Sequence, residues 1–83
     1  MSYTIQYLES ELAASGIEIS VLVNCLVQDA IQLGASDLHI EPWETAIAVR
    51  ARVNGVLIEV AHLQLDLMEK ISMRFKVMSN LVT

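Results

Sequence analysis

Residues 33–55 read LGASDLHIEPWETAIAVRARVNG, and the change of period inside them decides the fold. Leu38 and Ile40 alternate with Asp37, His39 and Glu41, the two-residue period of a half-buried strand. Pro42 ends that strand and opens a turn through Trp43, Glu44 and Thr45. A second strand follows, with Ile47, Val49, Ala51 and Val53 on one side and Ala46, Ala48, Arg50 and Arg52 on the other. Asn54-Gly55 closes it with the strongest short hairpin signal, because a type I′ turn needs positive φ at both central residues. This turn sets Val53 opposite Val56, Arg52 opposite Leu57 and Arg50 opposite Glu59. Val56, Ile58 and Val60 then join the apolar face. A slip of one residue would turn every valine into water.

Helices flank the sheet on either side in sequence. Ile19, Leu22, Val23, Leu26, Val27, Ala30 and Ile31 recur every three or four residues and predict a helix ending at Gly34. Ser15 and Glu18 have the form of a capping box at its start, with Ser20 as the competing cap. Beyond the strands, Asp66 and Glu69 form a plausible N-cap pair for a helix striped by Leu67, Ile71, Phe75, Met78 and Leu81. Phe75 is its expected aromatic anchor. Residues 1–16 read as a lead-in or linker, or as a short amphipathic helix with Ile5, Leu8 and Leu12 on one face; residues 17–83 form the domain. The predicted class is α+β in the order α-β-β-β-α: a three-stranded antiparallel sheet with helices on one face and a charged face opposite.

Composition narrows the function classes. Ten acids against five bases leave a net charge of −5, whereas nucleic-acid binding normally shows a basic face. Hydrophobic residues make up 54% of the chain, more than one small core needs, so some apolar surface is expected to meet a neighbour. The single cysteine, Cys25, allows no internal disulfide and fits a reducing compartment; it reads as a buried small hydrophobe. With no secretory signal and no span of about 20 apolar residues, the expected location is cytoplasmic.

No chemistry is complete in the chain. Asp37, His39 and Glu41 share a strand face and invite a metal or acid/base reading. They are nevertheless spread over about 13 Å, too far for one ion to take all three. The plainer reading is a solvated face whose acids pair with the neighbouring arginines. Arg50 suits an ion pair with Glu59 as well as it suits a phosphate or a partner's carboxylate. Arg52, opposite apolar Leu57, leans toward a partner. Neither GxxxxGK[ST] nor GxGxxG is present. Trp43 reads as a turn-packing residue and His62 as a strand-end residue. No catalytic or metal-ligating residue is assigned.

Three blocks carry a resemblance: Gly34-Ala35-Ser36-Asp37-Leu38-His39-Ile40-Glu41-Pro42, Arg50-Ala51-Arg52-Val53-Asn54-Gly55, and Ser72-Met73-Arg74-Phe75-Lys76-Val77-Met78. Over Ile19 to Leu81 the chain resembles the second N-terminal domain of the type II secretion and type IV pilus assembly ATPases. The resemblance implies a PAS-like domain seated on a RecA-like motor within a cytoplasmic hexamer. ATP and magnesium would bind in the full-length enzyme, and no cofactor would bind this chain alone. It also implies that Arg50 and Arg52 face nucleotide only in that assembly, while Arg74, Asp37, His39 and Glu41 meet domain or subunit interfaces. The implied partners are the motor domain, neighbouring subunits and the inner-membrane platform of the machine; membrane attachment would run through those partners.

Asn54 stands where the family has Asp, which keeps the turn and removes a charge. The chain ends where the family continues into its motor, so no ATP hydrolysis is expected of it alone. As an isolated chain it is expected as monomer or homodimer. The reading from a different class is a stand-alone sensor or adaptor that binds a ligand or protein on its exposed sheet face.

Overall fold

A computed structural model describes residues 2–82, with side chains described as far as Ser79. Two short helices, α1 (Tyr3–Leu8) and α2 (Glu11–Ala14), precede the long helix α3 (Ile19–Leu33). Three strands follow, β1 (Asp37–Pro42), β2 (Ile47–Val53) and β3 (Val56–Leu63). A 3-10 turn over Leu65–Leu67 then leads into α4 (Met68–Val82). The sheet is antiparallel in the order β1-β2-β3, so the fold is α+β with the predicted helix-strand-strand-strand-helix core.

The local signals that hold are those with one stereochemical solution. Asn54 and Gly55 take φ of 52° and 81°, the pair of positive values a two-residue hairpin loop requires. Gly34 sits in the left-handed region at φ 70°, where the N–H groups of Gly34 and Ala35 donate to the Ile31 and Ala30 carbonyls. That bond pair is the Schellman closure, which absorbs two carbonyls the helix end would leave unpaired.

The register follows the turn. Leu38 and Ile58 both lie opposite Ala51, while Ile40 and Ala61 lie opposite Val49, so one apolar face runs across all three strands. Leu22, Val23 and Leu26 of α3 and Ile71 of α4 pack on that face against Ile47, Val49, Ala61 and Leu63. The turn residue Leu67 joins the same core, and α1 packs on α3.

Several expectations are corrected. The ladder shifts between Val49 and Arg50, leaving Val60 as an extra residue between Glu59 and Ala61. This bulge hands the inward positions to Ala61 and Leu63, which a strict alternation through Val60 places on the polar side. Val60 itself is half-buried against the core. Val56 and Ile58 keep their side of the sheet but remain exposed, because the helices do not cover that end of β3. On α3, Ile31 of the expected apolar stripe is 64% exposed, while the acid Asp29 is buried.

The capping expectations also change. Ser15 ends α2 and donates to the Leu12 carbonyl, while the N-cap of α3 is Glu18 without a side-chain bond. The 3-10 turn takes Gln64 as its cap in place of Asp66, because the chain enters α4 through that turn. Ile71, not Phe75, is the fully buried anchor of α4; Phe75 is half-buried beside it. Cys25 is half-buried rather than buried. Leu81 lies outside the described side chains.

Candidate functional site on the polar face of the sheet

The face turned away from the helices carries an ordered set of charges. β1 supplies Asp37, His39 and Glu41, and β2 sets Arg52, Arg50 and Ala48 opposite them, one for one. β3 adds Leu57 opposite Arg52, Glu59 opposite Arg50 and His62 opposite Ala48. The strand period alone puts these groups on one side, and pairing brings them into contact.

Each arginine is held by an acid of β1. Arg50 Nη2 donates to Glu41 Oε1 at 2.5 Å, a diagonal contact across the β1–β2 ladder. The expected Arg50–Glu59 ion pair is not formed, although the two residues are opposite one another, because Glu59 turns along its own strand to His62. Arg52 Nε lies 3.5 Å from Asp37 Oδ1, and its Nη1 donates to the Gly55 carbonyl at 3.3 Å. Arg52 is thus tied to β1 and to the hairpin loop.

His39 Nε2 is also 3.5 Å from Asp37 Oδ1, within ion-pair range but without hydrogen-bond geometry. His39 Nε2 and Arg50 Nε are therefore enclosed polar atoms with no hydrogen-bond partner among the described residues. These ion pairs are part-exposed, worth about 0.2–1 kcal/mol each, so they orient the guanidinium forks more than they stabilise the fold.

The far end of the same face is aromatic. Trp43 lies against His62 with ring centroids 5.6 Å apart and planes tilted by 55°. Ala48, flanked across the strands by Glu41 and His62, is fully buried despite facing the polar side. Trp43 is a turn residue in contact with the sheet, as expected, but His62 does more than end a strand. No residue-level signal announced that pair, since it depends on a loop folding back over β3.

Asp37, His39, Glu41, Arg50 and Arg52 are thus brought together. Arg74 is not, because α4 packs on the opposite, apolar face. Among the described residues no group of three or more His, Cys, Asp or Glu gathers closely enough to hold a metal ion. Lysine and glycine-rich phosphate-binding elements are likewise absent from this face. The arrangement can present two oriented guanidinium forks to an anion or carboxylate.

One polar site away from this face was missed. Asp29, 4% exposed, accepts the N–H groups of Tyr3 at 2.7 Å and Thr4 at 3.0 Å, so α3 caps the first turn of α1. A usable signal existed: Leu22, Leu26 and Asp29 share one helical stripe, and an acid on an apolar stripe must find donors. Burial and the Asp29 carboxylate together push the Cys25 thiol above the usual thiol range. A group with little thiolate at neutral pH is a poor nucleophile.

Residues 12–83 match the family described as Type II/IV secretion system protein. The chain is 40% identical over 73 residues to a type IV pilus assembly ATPase PilB of Myxococcus xanthus, covering 88% of the chain and 13% of that protein. It is 49% identical over 59 residues to PilB of Pseudomonas aeruginosa, covering 71% of the chain and 10% of that protein. It is 43% identical over 74 residues to the type II secretion system ATPase E of Vibrio cholerae, covering 89% of the chain and 14% of that protein. The chain therefore spans only a small part of the length of these relatives. With a matched span that holds the whole sheet, α3 and α4, the chain belongs to the type II/IV secretion system protein family.

Proposed function

We propose that the chain serves as a non-catalytic assembly and regulatory domain of a type II secretion or type IV pilus assembly ATPase. It would contact its motor domain and neighbouring subunits, and its arginines would help position nucleotide. The observation that carries this reading is the pair Arg50 and Arg52, held side by side on one sheet face by Glu41 and Asp37. Two-residue spacing sets their backbone positions roughly 6.6 Å apart, and each guanidinium retains N–H donors beyond those already engaged.

The residues fit a partial share in an ATP site and no more. The Arg50 side chain stays part-exposed while bound to Glu41, which leaves guanidinium N–H groups for an anion arriving from outside the chain. Among the described residues no group of three or more carboxylate, His or Cys ligands gathers for magnesium. Bound ATP and magnesium would supply the hydrolysable phosphate and its charge neutralisation; the groups that activate water belong to the motor. A cytoplasmic hexamer coupled to inner-membrane partners is the assembly this role requires.

Arg50→Ala in the full-length ATPase tests the proposal. Loss of one charged hydrogen-bonding group on the phosphate shell should slow turnover by roughly tenfold or more. Unchanged turnover at saturating ATP overturns the nucleotide role. Calorimetry on the isolated chain separates the rival reading: tight binding of ATP, or of a cyclic nucleotide, by these 83 residues alone would make it a sensor.

A further inference from the structure

Three of the five bases of the chain, Lys70, Arg74 and Lys76, lie on α4. None of the three pairs with a carboxylate among the described residues, whereas Arg50 and Arg52 each do. Lys70 and Arg74 are four residues apart and share one helix face. Together with Met73, Val77 and the first residues of α3, Ile19 and Ser20, they line an open groove of about 620 Å³.

The groove joins apolar surface to unpaired charge. Met73 and Val77 are 59% and 47% exposed. Arg74 is half-buried, and its Nε is enclosed without a hydrogen-bond partner, a costly state for a charged donor. Glu69 also borders the groove. At 100° per residue it sits roughly 140° around the helix from Arg74, with Met73 and Val77 between them. One rim is therefore basic, the floor apolar and the far rim acidic.

We infer that this groove docks an amphipathic helix of another protein or domain, one whose apolar stripe carries Asp or Glu along one flank. The apolar stripe covers Met73, Val77 and Ile19, and the carboxylates reach Lys70 and Arg74. Charge complementarity selects this occupant. A chain of net charge −5 repels an acidic partner over most of its surface and attracts it here. A second copy is a poorer fit, since across a two-fold contact its groove offers only Glu69 to face Lys70 and Arg74. The inference does not depend on Arg50 or Arg52 and survives the failure of their proposed role.

The test is an amide-resolved NMR titration of the 83-residue chain with a designed helical peptide bearing leucines at i, i+4 and i+7 and glutamates on one flank. A glutamine counterpart and vesicles of phosphatidylserine and phosphatidylcholine run beside it. The glutamate peptide should bind roughly fivefold to tenfold more tightly at low salt, the scale of two part-exposed ion pairs. Shifts should centre on Ile19, Ser20 and the Lys70–Val77 segment. Lys70→Gln, at an exposed position, should remove part of that preference without touching the fold, and Arg74→Gln the rest. Equal affinity for the two peptides, shifts on the polar sheet face, binding to vesicles alone, or dimerisation in place of peptide binding would each overturn it.

Discussion

Asp29 accepts two N–H groups of α1 from within the apolar stripe of α3, and its charge reaches Cys25 one helical turn away. Asp29→Asn keeps an oxygen acceptor but loses the charge, so it should cost about 1–2 kcal/mol in urea unfolding. The same change should alter the thiol. Burial and a nearby anion both disfavour thiolate, which raises the Cys25 pKa and slows alkylation at neutral pH. Removing the anion relieves the second cause, so the iodoacetamide rate–pH midpoint should fall in Asp29→Asn. A midpoint that stays put would show that burial alone sets it. At this scale the arginine row was legible in advance, because two-residue spacing assigns a face. The acid each arginine chooses was not, since Glu41 on the diagonal and Glu59 directly opposite both lie within reach and only side-chain packing separates them.

Among the elements, β3 departs most from its sequence pattern. Its bulge lets Val56 and Ile58 share a side with Ala61 and Leu63, although Ile58 and Ala61 are three positions apart and strict alternation would put them on opposite sides. Val60 is therefore the one β3 residue whose deletion leaves every cross-strand partner in place. The Val60 deletion should fold, with an intact hairpin by NMR, at a loss of about 1–2 kcal/mol for its half-buried side chain. Deleting Ala48 from β2 should instead unfold the chain, because it drives Ile47 from the core toward the polar face. If the Val60 deletion unfolds and the Ala48 deletion does not, the register is wrong. The bulge had no sequence signal: Val60 is as apolar as the residue an unbroken alternation would want there.

Across the whole molecule, one small core carries the stability. Leu26 is fully buried among residues of α3 and the sheet, and Leu26→Ala should cost about 2–5 kcal/mol in urea unfolding. That is a large fraction of the roughly 5–15 kcal/mol available to an ordinary domain, so the variant should be partly unfolded at 37 °C. A loss below about 1 kcal/mol would mean the core is looser than its burial indicates. The polar face should behave oppositely, with its part-exposed ion pairs contributing little to unfolding free energy and losing even that in salt.

The sequence by itself determined the strands, the hairpin loop, the end of α3 and the side on which Arg50 and Arg52 stand. Each of these rests on a local rule: a two-residue period, a positive φ that Asn and Gly tolerate, a left-handed residue after a helix. Tertiary structure decided the rest. Which acid holds Arg50, which N–H groups meet Asp29, where Trp43 lands and which end of β3 stays bare all depend on groups far apart in the chain. Those outcomes are set by which side chains meet once the layers close, and no local preference encodes that meeting.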